Sequence, residues 1–290
     1  RFGHDILSVD LAGEAPTVVC RRDDGQELTF RGRFLLDASG FGRVLPRLLD
    51  LERPSRFPVR ASLFTHIADH IDDPAYDREK ILITVHPCHR DVWFWLIPFS
   101  GGRSSIGVVS EREFFSAYPE DPLTVLRTMV AQDPELARLT GGAQWDTPAR
   151  NITGYACDVT RMCSDRFALL GNAGEFLDPV FSSGVTIAMR SASTAVALLD
   201  RQLRGEPVDW QRDYAEPLAK GVATFRTFVE GWYDGRFQDV IFHGGSGSDI
   251  RRMICSVLAG YAWDESNPFV RQSERRLNTL WQYCRSGEGE

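Results

Sequence analysis

The chain has 290 residues, 43% of them hydrophobic, and a formal net charge of -7 at pH 7. This length and composition predict a globular protein with a large core and more than one lobe. The acidic balance argues against nucleic acid as a partner, because phosphate binding needs a basic surface. No apolar run approaches the roughly 18 residues of a membrane span, and the opening segment RFGHDILSVD has no signal-peptide core.

The first forty residues predict a three-stranded meander followed by a short buried strand. We expect the meander strands at 6–11, 17–21 and 27–30. The next strand, Phe34 to Leu36, ends in the small-residue segment DASG (37–40), where a ligand can come close. This pattern is typical of the middle of a nucleotide-binding domain. Since no Met opens the chain and no GxGxxG turn precedes the strand, we expect that an N-terminal segment is missing.

A mixed β-sheet followed by helices is predicted in the next part of the chain. Turn signals separate its three apolar runs, and Gly101-Gly102 marks a hairpin tip. Pro122 and Pro134 mark the starts of two helices. The apolar runs are 59–67, 80–87 and 92–110.

The run VWFWLIP, residues 92–98, is unusually aromatic. Trp93 and Trp95 are two positions apart and therefore share one face of the predicted strand. Two interpretations fit this run. Either the strand is buried on both faces, or its tryptophans form the wall of a site from which water is excluded.

The nucleotide-binding pattern returns after residue 151. A short buried strand at 167–170 leads into the tight turn GNAG (171–174), where the Asn172 side chain can bond a polyol hydroxyl. A long helix is predicted from Ser182 to Arg204. The amides of its first residues, SSG (182–184), lie in a positive dipole field that suits a ring carbonyl or a halide ion. A capped helix without a ligand explains the pattern equally well. The apolar face, of the kind that packs on a core, comprises Val185, Ala188, Met189, Ala192, Val196, Leu199 and Leu203.

The last part of the chain is predicted to be helical and aromatic, with a short flexible loop at HGGSGSD (243–249). Its aromatic side chains could line a substrate tunnel, but we expect them to pack in the core. They include Trp232, Tyr233, Phe237, Phe242 and Trp263.

Metal and disulfide chemistry have little support. The six cysteines form no CxxC pair, so we expect free thiols and a cytoplasmic protein. The segment HPCH, with His86, Cys88 and His89, has loose metal-like spacing but no accompanying ligand set. We expect no metal site.

Three motifs resemble those of the flavin-dependent halogenases, which belong to the wider class of FAD-dependent monooxygenases. They are DASG at 37–40, WxWxIP at Trp93, Trp95, Ile97 and Pro98, and FxxPxxSxG at Phe176, Pro179, Ser182 and Gly184. The resemblance implies a mixed α/β fold like that of para-hydroxybenzoate hydroxylase. In this fold a partial Rossmann-like FAD-binding domain (1–57 and 151–205) accompanies a substrate-domain sheet (58–150) and a C-terminal helical region (206–290).

The resemblance also implies a reaction of secondary metabolism. Reduced FAD, supplied by a separate flavin reductase, reacts with O2 to give a hydroperoxide, and a halide ion attacks it to form hypohalous acid. A lysine then delivers the oxidant to an electron-rich aromatic ring. We expect that lysine in the missing segment, because Lys80 and Lys220, the only lysines, lie in polar surroundings typical of a surface.

Residue roles follow from the same resemblance. Trp93 and Trp95 would wall the substrate chamber and exclude water, and Ser182 is the motif serine; we group these three as catalytic. The amides of Ser183 and Gly184 would hold the halide. The flavin would contact Gly40, Gly171, Asn172, Ala173, Pro179 and Val185.

Two positions depart from the family pattern. Phe181 replaces an acidic residue of tryptophan-specific members, which favours a phenol or pyrrole substrate, possibly bound to a carrier protein. Asn172 replaces the aspartate of a flavin-binding GD pair and loses its charge. Two alternatives remain open: a non-halogenating monooxygenase, dehydrogenase or reductase on the same scaffold, and a catalytically silent relative that binds flavin or an aromatic ligand.

Overall fold

A computed structural model of the protein describes residues 2–118, 121–243 and 248–286. The chain divides into two compact units. The first unit combines residues 1–56 with 156–290, and the second comprises residues 57–155. The predicted loop at 243–249 falls largely outside the described residues.

Strands and helices both contribute, as expected for an α/β protein. In chain order the strands are β1 (His4–Asp10), β2 (Thr17–Arg22), β3 (Glu27–Arg31), β4 (Leu35–Asp37), β5 (Glu52–Arg53), β6 (Arg60–Ala68), β7 (Leu82–His86), β8 (His89–Pro98), β9 (Arg103–Glu111), β10 (Arg150–Thr153), β11 (Asp158–Val159) and β12 (Phe167–Leu169). The helices are α1 (Val44–Leu48), α2 (Arg112–Phe115), α3 (Pro122–Val130), α4 (Pro134–Leu139), α5 (Ser183–Leu203), α6 (Glu216–Tyr233), α7 (Arg236–Phe242), α8 (Ser248–Leu258), α9 (Pro268–Arg271) and α10 (Ser273–Ser286).

The first unit begins with the predicted meander. Strands β1, β2 and β3 pair antiparallel in that order, which confirms the expected strands to within two residues at each end. Strand β4 then pairs in parallel with β12, with Leu169 opposite Asp37. Because parallel strands end at the same edge of a sheet, this pairing brings DASG and GNAG together.

The second unit is built on a five-stranded sheet with the order β10-β6-β9-β8-β7. Every pairing in this sheet is antiparallel, so the expectation of a mixed sheet is wrong. Short connections explain two of the four pairings, β7 with β8 and β8 with β9, because a tight hairpin can join only antiparallel strands. Gly101 and Gly102, both at positive φ, form the predicted hairpin tip between β8 and β9.

Helices α3 and α4 begin at the predicted prolines. The side chain of Asp121 accepts from the amides of the first turn of α3, and Asp133 does the same for α4. Their apolar residues pack on the sheet core that includes Phe94. The sequence signals for these two helices are therefore confirmed.

Helix α5 turns the predicted apolar face outward. Val185 is 70% exposed and Met189 is 67% exposed. The buried side instead contains Ile187, Ser191 and Ala195. Small residues lie on this side because a turn of the first unit approaches the helix closely there, as described for the site below. The expectation that the most apolar face packs inward is therefore wrong for α5.

A buried carboxylate joins the loop after β6 to the β8–β9 hairpin. Asp69 accepts from both terminal nitrogens of Arg78 at 2.7 and 3.0 Å and from Ser104 Oγ at 2.6 Å. Burial alone would raise the pKa of Asp69, but these bonds and one from the Ile71 amide outweigh it and hold the pKa below its ordinary value. This contribution to stability is present above the ordinary carboxyl pKa. It is lost as the pH falls through the lowered value.

We predict that Asp69→Asn lowers the free energy of unfolding by about 2 kcal/mol, because charged hydrogen bonds to a buried group are lost. Denaturant unfolding at neutral pH measures the change. The matched control is Asp77→Asn, since the exposed Asp77 carboxylate pairs with exposed Lys80 and accepts from the Glu79 amide, and it should leave the stability almost unchanged. Equal losses in the two variants would contradict the role of Asp69.

Candidate active site

The turn after β12 is held directly against helix α5. Gly171 has a φ of +51°, a left-handed conformation that favours glycine. A Cβ at this position would lie 2.8 Å from the Cβ of Ala188, so the turn approaches the helix more closely than a side chain would allow. The Gly171 amide donates to Ser191 Oγ at 2.9 Å. Asn172 is half-buried in this turn, and Ala173 is fully buried.

The end of β4 packs beside this turn. The buried Asp37 carboxylate accepts from the amides of Ser39 and Leu45, each at 2.7 Å. Gly40, with a φ of +58°, opens the turn 40–42, which packs against the turn 171–173. Asp37 therefore shapes the backbone, and Gly40 lies next to the second glycine turn.

Helix α5 begins with unpaired amides. Ser182 is the N-cap and has a φ of +51°, and no side chain in the described part of the chain caps the helix there. The first turn contains no acidic residue. The amides of Ser183, Gly184 and Val185 therefore lack intrahelical partners and lie at the positive end of a 21-residue helix.

Gly184 brings the start of α5 next to the GNAG turn. A Cβ at Gly184 would lie 3.6 Å from Asn172 Oδ1 and 3.1 Å from the ring of Phe176. Phe176 in turn packs edge-on against Phe41, with 5.6 Å between ring centroids. Small residues, aromatic rings and unpaired amides thus meet in one place in the first unit. This combination fits a planar ring ligand with electron-rich oxygens.

Asp178 anchors the segment that leads into α5. Its carboxylate accepts from the Val180 amide at 3.0 Å and so caps the single 3-10 turn that Pro179 opens. The Tyr233 hydroxyl also donates to Asp178, at 3.0 Å. Sequence reasoning missed Asp178, and it named Tyr233 as an aromatic residue without predicting this contact. An Asp before a Pro is a recognisable cap signal, but nothing in the sequence connects it to a tyrosine 55 positions away.

Phe181 fixes the same segment by packing. Its ring lies 5.6 Å from that of Phe237 and 6.1 Å from that of Trp232, both edge-on. Trp232 and Phe237 are buried, so the expectation of core packing is confirmed for them, whereas Phe242 is exposed. Trp232 and Phe237 therefore hold in place the segment that leads into α5.

Trp93 and Trp95 lie in the second unit, on one face of β8. Phe94 points to the opposite face and joins the core with α3. The two indoles are 5.9 Å apart, and Trp95 lies across Gly107, where a Cβ would overlap its ring. Its Nε1 donates to Ser105 Oγ at 3.0 Å. Trp93 is 1% exposed, so the strand is buried on both faces at Trp93 and Phe94.

Both lysines are surface residues, as expected. Lys80 is 78% exposed and pairs with Asp77 at 2.8 Å. Lys220 is 73% exposed and lies 3.4 Å from Glu265.

The segment HPCH serves the fold. His86 is buried, its Nδ1 accepts from the Cys88 amide at 3.1 Å, and its Nε2 lies 2.7 Å from Gln132 Oε1. In the described ranges, no group of three or more His, Cys, Asp or Glu side chains could hold a metal ion. All six cysteines are free, and burial raises the pKa of the Cys163 thiol to about 11. No helix within the described residues is long and apolar enough to cross a membrane.

Solved flavoproteins share this fold. The chain superimposes on a flavoprotein/dehydrogenase of Cytophaga hutchinsonii with a TM-score of 0.92 and 40% identity, covering 98% of this chain and 69% of that one. The flavin-dependent brominase Bmp2 gives a TM-score of 0.82 at 21% identity, covering 98% of this chain and 70% of that one. A model of the tryptophan halogenase family matches residues 5–242. The chain therefore belongs to the tryptophan halogenase family.

Curated relatives are longer than this chain. The tetracycline 7-halogenase of Kitasatospora aureofaciens is 30% identical over 213 residues, which cover 67% of this chain and 38% of that protein. The 1H-pyrrole-2-carbonyl peptidyl-carrier-protein chlorinase of Pseudomonas fluorescens is 26% identical over 207 residues, with 67% and 44% covered. The chain thus spans about two fifths of the length of these relatives.

We predict that Gly171→Ala lowers the free energy of unfolding by about 2 to 4 kcal/mol, because it combines a strained positive φ with overpacking against Ala188. Gly205→Ala is the matched control, since Gly205 also has a positive φ but no atom lies near its Cβ position. It should cost only about 1 kcal/mol. If chemical denaturation gives equal losses, the close approach of turn and helix is wrong.

Proposed function

We propose that this chain carries the flavin and halide sites of an FAD-dependent halogenase that acts on an electron-rich aromatic substrate. The observation that supports this most is the junction of Gly171, Asn172 and Gly184 at the uncapped start of α5. Family membership and the paired motifs agree with it.

The flavin would bind at the edge formed by the two glycine turns. Gly40 leaves open space for a ring or a phosphate-linked chain, Gly171 holds the second turn against α5, and Asn172 offers an amide for hydrogen bonding. Pro179 and Val185 would border the ring from the segment before α5 and from its first turn. When bound, reduced FAD supplies the electrons for O2 chemistry. The chain's own residues position the reactants and keep them dry.

The halide would lie against the amides of Ser183 and Gly184. A helix N-terminus stabilises a nearby anion by up to about 2 kcal/mol where it is partly buried. Because no carboxylate of the described residues occupies the first turn, no like charge opposes the ion there. Ser182 would act as a positioning residue, since its left-handed backbone turns these amides outward.

Trp95, which is partly exposed, would supply a rigid, water-excluding aromatic surface for the substrate, and the buried Trp93 would back it, with the two rings 5.9 Å apart. Their fixed geometry supports this, because Trp95 is held by Ser105 and fits only over a glycine. A dry site matters because a reactive halogen oxidant would otherwise escape into water.

A phenol or pyrrole is the substrate class we propose. Tryptophan-specific members place an acidic residue at the position of Phe181. In this chain the Phe181 ring packs against the rings of Trp232 and Phe237 instead. Two relatives act on a pyrrole bound to a peptidyl carrier protein, which supports a carrier-bound form of the substrate. A separate flavin reductase would supply reduced FAD, and the free cysteines support a cytoplasmic location.

Bromination by the complete gene product tests the reaction directly. With a flavin reductase, NADH, O2 and bromide, we expect mass spectrometry to detect a brominated phenol or pyrrole that disappears when bromide is left out. Product that gains oxygen but no bromine would identify a hydroxylating relative instead. Bound flavin without turnover of any substrate would identify a binding protein.

A charge placed beside the helix start tests the halide site. Val185→Glu adds a carboxylate to the first turn of α5, which favours the helix but repels an anion at its N-terminus. We predict that the apparent KM for bromide rises by about fivefold or more relative to Val185→Gln, its neutral match in size. The melting temperature should not fall. The same KM in both variants would place the halide elsewhere.

A further inference from the structure

A cavity of about 490 Å3 opens in the first unit, between α5, α6 and the segment 262–273. None of the residues proposed to bind flavin or halide lines it. Its walls combine cations, hydroxyl groups and one indole. The residues that matter are Arg190, Lys220, Thr224, Trp263, Arg271 and Ser273.

Positive charge is concentrated at this cavity. Arg190, Lys220 and Arg271 line it, against a single carboxylate, Glu265. Lys220 pairs with Glu265 at 3.4 Å. Within the ranges that the structure describes, Arg190 and Arg271 have no carboxylate within 4.0 Å. In a chain whose net charge is -7, three cations around one cavity form a local site for an anion.

The indole of Trp263 forms a fixed wall of the cavity. Its Nε1 donates to the Pro217 carbonyl at 2.9 Å, and a Cβ at Gly221 would overlap the ring. The Arg190 guanidinium lies over the ring, 5.6 Å from its centroid. This stacking holds the guanidinium in place and leaves its N–H groups free to point at a ligand.

We propose that this cavity binds a phosphate ester, with Arg190, Lys220 and Arg271 contacting the phosphate and Trp263 contacting the organic part. Glu265 neutralises one of the three cations. The two positive charges that remain match the charge of a phosphate dianion. The cavity is much larger than a phosphate ion, and its one rigid aromatic wall suits a planar group. Thr224 and Ser273 add hydroxyl groups to the lining.

Calorimetric titration of the complete gene product at low ionic strength provides the test. The probes are inorganic phosphate and phenyl phosphate, with phenol as the uncharged comparison. We expect both phosphates to bind, phenyl phosphate more tightly. Phenol belongs to the substrate class proposed for the active site, so any binding of phenol should be the same in the wild-type protein and in Arg271→Gln. Absence of phosphate binding up to about 10 mM would overturn the proposal.

Charge variants of opposite sign locate the binding. Arg271→Gln should weaken binding of both phosphates by about fivefold to tenfold, and Glu265→Gln should strengthen it. Arg212→Gln is the control, because Arg212 is exposed, pairs with Asp213 and lies outside the cavity. Identical affinities in all three variants would overturn the proposal, provided that thermal unfolding shows each is folded.

Trp263→Phe distinguishes the two sources of phosphate. A smaller ring should weaken phenyl phosphate by a few fold and leave inorganic phosphate unaffected. The proposal that the ligand is an ester would be overturned if the wild-type protein bound phenyl phosphate and inorganic phosphate equally and Trp263→Phe changed neither affinity. The cavity would then be a site for free phosphate.

Discussion

The close contact between the Gly171 turn and helix α5 is the constraint on which the candidate site depends. It requires a glycine in a left-handed conformation at position 171 and a small side chain at position 188. It also requires the Ser191 hydroxyl, which accepts a hydrogen bond from the Gly171 amide. With the turn fixed, Asn172 and Gly184 lie side by side at the uncapped start of α5. The geometry of the backbone at this contact therefore defines the site.

Local sequence signals predicted much of this arrangement. Small residues at strand ends, prolines at helix starts and two-residue alternation in β8 each reflect short-range backbone rules, and the structure follows them. The outward apolar face of α5 could not be predicted, because burial there depends on a turn that needs small neighbours. The contact of Asp178 with Tyr233 was missed for a related reason, since it joins residues far apart in sequence. The antiparallel sheet followed from tight connections that the apolar runs alone do not show.

Phe181 connects the family motif to the rest of the first unit. Its ring is enclosed by Trp232 and Phe237, and Asp178 just before it is bonded to Tyr233. An acidic side chain in place of Phe181 would enter an apolar cluster without a partner, which costs several kcal/mol unless the surroundings also change. Phe181, which replaces the acidic residue of tryptophan-specific members, therefore fits the apolar surface that α6 and α7 present to it. The residue type at this position of the motif and the packing of α6 and α7 therefore depend on each other.

A crystal structure of the complete gene product with FAD and bromide would test the central claim most directly, because anomalous scattering locates bromide without ambiguity. We predict a bromide ion within hydrogen-bonding distance of the Ser183 and Gly184 amides, with the flavin ring beside Gly171 and Asn172. A bromide bound elsewhere, or a flavin that leaves the start of α5 uncovered, would contradict the site described above.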